Sequence, residues 1–421
     1  MMTSNDTHSR AYVWVWLPQA ITPIVCGVLE PVGDTLVFNY ARSYLARTNA
    51  ISLYAPELPL QPGRIRPRAG LKVAGCINDG APDAWGQRVI DHRHFSQIDG
   101  VRPSHEIGFL DYLLESGSDR YGAIDFQTSA DSYVSRVGNG TLEELRCAAE
   151  RLEAGEPFSA SIDGALLHGS SIGGVRPKAL LDDGKRKLIA KFSSSTDPYP
   201  VVKAEALAME LARRVGLNVA STKLTTSLGH DVLLIERFDR TTTAGQRKMV
   251  VSALTLFELD EMTGRYATYF ELADMIRERF TDPKETLQEL FSRIVFNICV
   301  GNTDDHARNH AAFWDGKMLT LTPAYDICPQ TRSGGEAAQA MAIGRNGFRL
   351  SQLAGCVGAA ETYLLHAAEA RQIIDHQLHV IRTQWIDVAD YAHLTDAQRN
   401  GMWERQILNP FATDGYATRI L

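Results

Sequence analysis

Residues 284–300 carry Leu287, Leu290, Phe291, Ile294, Val295 and Ile298 at the i, i+3, i+4, i+7 spacing that buries one face of an α-helix. The helix runs into GNTDDHARN (Gly301–Asn309), a polar stretch that must be a loop. Next, AAFW and KMLTLT flank Asp315 and Gly316, and an Asp-Gly pair between apolar runs is the strongest short-range hairpin signal. The hairpin delivers the chain to PAYD (Pro323–Asp326). A buried helix, a polar loop, a hairpin and a second polar loop therefore follow one another without room for other structure.

The two loops hold the chemistry. Asp304, Asn309 and Asp326 supply two carboxylates and an amide oxygen, a hard-oxygen set that suits magnesium. In protein kinases the catalytic-loop Asp is followed five residues later by a metal-binding Asn, and a second metal-binding Asp comes further along the chain. Asp304 and Asn309 have that spacing. Asp and Asn also crowd ordinary loops because they cap helices and stabilise turns. The combination with the apolar helix and the hairpin favours the metal reading.

Phosphoryl transfer needs cations on the nucleotide phosphates. Lys191 sits inside the apolar strand candidate KLIAKF (Lys187–Phe192), an unusual place for a lysine unless it snorkels from an edge. On the helix that follows, Glu205 or Glu210 could pair with it. The segment HGSSIGGVRPK (His168–Lys178) packs small residues, glycines and cations together, a composition that lets backbone amides approach phosphates. It matches neither common glycine-rich nucleotide motif.

Residues 11–60 alternate short apolar runs (Ala11–Trp16, Ile24–Leu29, Thr35–Phe38, Ile51–Tyr54) with Pro, Gly and Asn breaks, the pattern of a small sheet. Residues 83–154 read as mainly helical, interrupted at SGSDRYGAIDF (Ser116–Phe126), with a boundary near residue 160. Lys187–Phe192, Lys203–Gly216 and Asp231–Phe238 then read as strand, helix and strand, and Ala367–Trp385 as helix. The expected fold class is α+β, with a β-rich start and a mainly helical C-terminal part. The expected domains are 1–160, 161–245 and 246–421.

A net charge of −7 over 421 residues advertises no nucleic-acid or membrane surface. The six cysteines contain no C-x-x-C pair, which argues against structural zinc and a disulfide framework. Without a leader or an apolar span, the chain reads as cytoplasmic. His306 and His310 are four apart, as in zinc metalloproteases, but the glutamate after the first is absent and the stretch is not helical in pattern. No G-x-S-x-G elbow supports a serine hydrolase.

In this order, SSIGGVRPK, IAKF, IERFDR, GNTDDHARN and PAYD resemble the HipA-type serine/threonine kinase family of toxin-antitoxin systems, as do APDAWG (Ala81–Gly86) and DRYGAIDF near the start. The resemblance covers nearly the whole chain and implies a two-lobed, protein-kinase-like fold using ATP and Mg2+. It makes Asp304 the catalytic carboxylate and Asn309 and Asp326 the metal ligands. Gly173, Gly174, Lys178, Lys191, Glu236, Phe238, His306 and Asn309 would contact ATP, the backbone at Glu236–Phe238 reading adenine. Ser171 matches the serine that members autophosphorylate, with loss of activity. The implied partners are a HipB-like helix-turn-helix antitoxin, through which alone DNA would be met, and a substrate of the translation apparatus, notably an aminoacyl-tRNA synthetase. Ordinary kinases depart from this pattern: Asn-Thr-Asp stands here for His-Arg-Asp, and Ile-Cys follows Asp326 where they have Phe-Gly, so no activation-loop switch is expected. A small-molecule kinase and a catalytically silent antitoxin- or operator-binding protein are the alternatives.

Overall fold

The computed structural model describes residues 8–97, 107–138, 140–156, 176–194, 197–332 and 334–417. They divide into two compact units, the first formed by residues up to 196, 225–251 and 313–317, the second by 197–224, 252–312 and 318 onward.

The first unit opens with an antiparallel sheet of β1 (Ala11–Val15), β2 (Ile24–Val32), β3 (Thr35–Tyr40), β4 (Arg64–Ile65) and β5 (Ile124–Gln127), in the order β4-β3-β2-β1-β5. Two expectations change here. Ile51–Tyr54 forms no strand. Its backbone is held by tyrosine hydroxyls instead: the Leu53 amide donates to Tyr40 Oη at 3.0 Å, and Tyr44 Oη donates to the Ile51 carbonyl at 2.7 Å. Trp314 then donates its indole N–H to the Ser52 carbonyl at 2.9 Å and meets Tyr54 edge to face. Conversely, the segment expected to interrupt the helices supplies β5, which pairs with β1.

A second sheet runs β6 (Lys178–Asp182), β7 (Lys187–Phe192), β9 (His230–Glu236) and β8 (Thr222–Ser227), in that order. Alternation along β7 puts Leu188, Ala190 and Phe192 on the buried face. Ala179, Ala190, Phe192 and Val232 pack there with Trp85 and Val89 of the helix Ala84–Gln97 and Leu145, Ala148 and Leu152 of the helix Leu142–Ala154. The latter starts with a capping box between Thr141 and Glu144 and stops at Gly155 in the left-handed conformation.

Helices dominate the second unit: Val201–Arg214, Tyr269–Arg279, Pro283–Val300 and Ala367–Tyr391. Pro283 opens the third of these at a position where a missing N–H costs nothing. Its Leu287, Leu290, Phe291, Ile294, Val295 and Ile298 are fully buried. No helix among the described residues is long and apolar enough to cross a membrane. The architecture is α+β, as expected.

Candidate active site

The helix Pro283–Val300 ends because Gly301 adopts φ 68°. A Cβ there would stand 2.5 Å from the Gln406 carbonyl oxygen, so the position excludes side chains twice over. Beyond it the chain turns through residues 302–306 and one 3-10 turn, Ala307–Asn309. Asp304 is exposed, whereas Asp305, its neighbour, is 4% exposed. Asn309 is buried and donates from Nδ2 to the Asp304 carbonyl at 3.3 Å, which leaves its Oδ1 as an acceptor.

Asp326 is brought to the same part of this unit by identifiable bonds. Arg293, on the buried helix, donates to the carbonyls of Thr322 (2.9 Å) and Asn218 (3.1 Å). Ala324 exchanges backbone hydrogen bonds with residues 218–220, at 2.8 and 2.9 Å. Tyr325 Oη donates to the Arg308 carbonyl at 2.7 Å, and the Gln330 amide to the Gly301 carbonyl at 2.9 Å, joining the two polar loops on either side of Asp326. Asp326 itself has φ 60°, a conformation that Asp and Asn tolerate better than other side chains.

The Asp304 carboxyl is raised above the usual carboxylate value, first by partial desolvation, then by the negative charges of Asp326 and Asp305, with His306 working the other way. Two carboxylates close enough to repel, beside an amide oxygen, are the donor set of a hard divalent cation that completes its shell with phosphate and water. The residues present fit magnesium. Among the described residues, no three His, Cys, Asp or Glu side chains could hold an ion by themselves.

Asp305 is the participant that sequence reasoning missed. Its Oδ2 accepts from Tyr269 Oη at 2.5 Å, Asn297 Nδ2 at 2.7 Å and His310 Nε2 at 2.9 Å, and its carboxyl is held low by His310 and these bonds despite its burial. Asn297 Oδ1 in turn accepts from Asn302 Nδ2 at 3.0 Å. Two adjacent aspartates in a polar loop look equivalent in sequence. Only the contacts of Tyr269 and Asn297 with Asp305, invisible along the chain, tell them apart.

In the first unit, Lys191 and Lys178 stand directly opposite one another on β7 and β6, hence on the same face. Lys178 is buried, its ammonium 3.6 Å from Asp83 Oδ2. Asp83 also caps the helix Ala84–Gln97, its Oδ1 accepting the amides of Trp85 (3.1 Å) and Gly86 (3.2 Å), while the Trp85 indole donates to the Lys178 carbonyl at 2.9 Å. APDAWG is thus a bracket for β6. Glu236 ends β9 opposite Leu188, and Phe238 meets Tyr121 and Phe313 edge to face. In the second unit, Glu205 is buried, while Glu210 is occupied by Arg213 and Arg214 at 2.7 and 2.9 Å. Ser171, Gly173 and Gly174 lie outside the described residues.

IERFDR and DRYGAIDF are two halves of one buried ion network. Arg237 contacts Asp239 at 2.8 Å and Asp119 at 3.1 Å, and Arg240 contacts Asp119 at 2.6 Å and Asp239 at 2.9 Å. Arg120 donates to Asp125 at 2.7 Å, with both side chains fully buried.

In the second unit, loops that follow a buried helix bring two carboxylates and an asparagine together, and in the first an antiparallel sheet carries two facing lysines, features of a phosphotransferase. The HipA N-terminal domain model matches residues 15–127, and the HipA-like C-terminal domain model matches residues 170–385. The second match covers half of the sequence, and the chain belongs to the HipA family of serine/threonine kinases. It is 28% identical over 326 residues to the putative kinase Y4mE of Sinorhizobium fredii, covering 69% of this chain and 71% of that protein. It is 26% identical over 187 residues to the serine/threonine-protein kinase toxin HipA of Shewanella oneidensis, covering 37% of this chain and 42% of that protein. A solved structure of the Shewanella oneidensis toxin-antitoxin complex of HipA, HipB and operator DNA includes a chain that superposes with TM-score 0.67 at 18% identity, covering 93% of this chain and 95% of its own. The fold is that of a HipA kinase.

Proposed function

We propose that the chain transfers the γ-phosphoryl group of ATP, with magnesium, to a serine or threonine hydroxyl of a protein of the translation apparatus, of the aminoacyl-tRNA synthetase class. The observation that carries this reading is the shared anchoring of Asp304, Asn309 and Asp326 in one unit by Arg293, Tyr325 and Gln330. Asp304, exposed and raised, accepts or orients the hydroxyl proton. Asn309 and Asp326 hold the magnesium, which neutralises phosphate charge when bound. Lys191 meets the phosphates, and its place directly opposite Lys178 puts two cationic side chains on the same face of the sheet. His306 and the loop containing Gly173 and Gly174 complete the phosphate contacts, and the backbone of Glu236–Phe238 reads adenine. Of the two candidate partners for Lys191, Glu210 is engaged by two arginines of its own helix, and Glu205 takes the role in this reading.

Ser171 is the autophosphorylation site in this reading. A dianionic phosphate in the phosphate loop would repel those of ATP and silence the enzyme. A HipB-like helix-turn-helix antitoxin is the partner, supported by the HipA–HipB–operator complex of the structural neighbour, and the net charge of −7 leaves DNA contacts to the antitoxin. These events belong in the cytoplasm.

The test is incubation with magnesium and labelled ATP beside Asp304→Asn and Ser171→Ala, followed by gel and mass spectrometry. Label on Ser171 that disappears in both variants supports the assignment. Asp304→Asn should lower transfer by roughly 10²-fold or more with its thermal midpoint unchanged. Near-normal transfer in that variant would remove Asp304 from the mechanism.

A further inference from the structure

The residues that immediately follow Asp304 and Asn309 are Asp305 and His310, so an inner pair repeats the outer pair one step along the chain with the same five-residue spacing. Outer Asp304 is exposed, whereas the inner side chains are 4% and 3% exposed and bonded to each other at 2.9 Å. We propose that the Asp305–His310 hydrogen bond is the positioning device of this active site, a buried clamp that fixes how far apart the loop carries Asp304 and Asn309. This rests on the kinase reading above and assigns the inner pair a role in it.

Other bonds tie the clamp to the rest of the unit. Tyr269 and Asn297, from two different helices, donate to the same carboxylate oxygen that His310 reaches. The His310 carbonyl accepts the Ala253 amide at 2.7 Å, and its ring meets Tyr269 edge to face at 5.7 Å. Within the loop, the backbone bonds are short-range ones, from His306 to Asp304, Asn309 to His306 and His310 to Ala307. They define local turns but do not fix the loop against the helices. Asp305 does that at one end of the five-residue interval, and His310 closes the other end onto it. Because Asp305 is the acceptor, His310 donates from Nε2. Its Nδ1 is buried without a hydrogen-bond partner among the described residues, so the ring is placed by this bond and by packing. Misplacement of a reacting group by about 1 Å can cost on the order of 10²-fold in rate.

The experiment compares His310→Phe, His310→Gln and Tyr40→Phe with the parent chain. Phenylalanine keeps the ring and loses the donor, while glutamine restores an amide donor at similar reach. Three quantities are read: kcat per ADP-binding site, the ratio of ADP affinities with and without magnesium, and the thermal midpoint. His310→Phe should lose roughly 10- to 100-fold in kcat and most of the magnesium-dependent gain in ADP affinity, with magnesium-free ADP binding unchanged. His310→Gln should recover the larger part of both. Tyr40→Phe, whose hydroxyl is bonded to Leu58 and Leu53 in the N-terminal sheet and touches no part of the clamp, should lower the thermal midpoint while keeping kcat within about threefold. A His310→Phe protein that melts earlier but keeps kcat and the magnesium-dependent gain would overturn the proposal, as would Gln behaving like Phe. If His310→Phe does not fold, His310→Asn, whose shorter amide falls short of Asp305, takes its place: loss of kcat and of the magnesium-dependent gain in the folded variant supports the proposal, and retention of both overturns it. Absence of phosphoryl transfer from the parent chain would defeat the kinase reading instead, and the magnesium-dependent ADP ratio would still decide for or against the clamp.

Discussion

The Gly122 amide donates to Asp239 Oδ2 at 2.7 Å, across 117 positions of sequence. That bond sits at the centre of the network in which Arg237 and Arg240 bind both Asp239 and Asp119 and also donate to the Arg120 carbonyl. The strand bearing Glu236 therefore continues into a segment whose shape is dictated by residues 119–122, next to the N-terminal sheet. Asp239 and Arg237 are 1% and 4% exposed, so none of this charge is solvated. A buried network of this kind has little tolerance for losing one partner.

Asp239→Asn should accordingly destabilise the first unit by about 3–5 kcal/mol at neutral pH, because two arginines lose a buried counter-charge. Denaturant unfolding followed by tryptophan fluorescence checks it. The acid dependence has a definite sign. Asp119, Asp125 and Asp239 are all held below the usual carboxylate range by adjacent arginines. Their stabilisation is complete above the unfolded-state value near pH 4 and fades as pH falls towards their folded-state values. The parent protein should therefore lose stability steadily below about pH 4, and Asp239→Asn should show a shallower loss over the same interval.

Tyr40→Phe is the corresponding test in the N-terminal sheet. The Tyr40 hydroxyl donates to the Leu58 carbonyl at 2.7 Å and accepts the Leu53 amide at 3.0 Å, both in buried surroundings. Removing one oxygen leaves a buried carbonyl and a buried amide unsatisfied, at roughly 1–3 kcal/mol each before relaxation. The expected result is a lower unfolding midpoint with phosphoryl transfer retained at temperatures where the variant is folded.

Much of this architecture was legible because its signals are local. Hydrophobic period 3.6 found residues 284–300, short apolar runs found β7 and β9, and an Asp-Gly pair found the hairpin before Asp326. Ile51–Tyr54 misled because its apolar residues serve as a platform for Trp314, with tyrosine hydroxyls replacing a strand partner. β5 was hidden because Ile124–Gln127 is only four residues long, too short for its apolar–polar alternation to stand out behind the turn-rich residues before it, and its polar Asp125 is buried against Arg120. At the site, the candidate set of Asp304, Asn309 and Asp326 rests on spacing and residue type. The different environments of Asp304 and Asp305 could not, since they depend on Tyr269 and Asn297, which reach the loop only through tertiary packing.

Gly301→Ala should be far more damaging than a glycine-to-alanine change in an ordinary loop. The residue must hold φ 68° and also leave the Gln406 carbonyl room at 2.5 Å from where a Cβ would stand. Conformational strain alone is about 1–3 kcal/mol, and relief of the clash requires moving either the end of the helix or residue 406. Because the Gly301 carbonyl also accepts the Gln330 amide, the disturbance reaches the segment after Asp326. Both the thermal midpoint and kcat should fall, whereas Gly358→Ala, at an exposed helical position that meets nothing within 4 Å, should leave kcat unchanged and raise the midpoint slightly.

Asp326 separates charge from backbone shape more cleanly. Its φ of 60° is tolerated by Asp and Asn and resisted by Ala. Asp326→Asn should therefore keep the loop and the thermal midpoint while losing a carboxylate charge, and under the proposed role of Asp326 in holding magnesium phosphoryl transfer should fall by on the order of 10²-fold or more. Asp326→Ala should lose the same activity and, in addition, about 1 kcal/mol of stability from the left-handed backbone. Equal midpoints for the two variants would show that the loop relaxes out of φ 60° when the carboxylate is removed. A higher midpoint for Asp326→Asn than for the parent would mean that the Asp304–Asp326 repulsion, which raises the Asp304 carboxyl, is a cost the fold carries to keep two carboxylates ready for a cation.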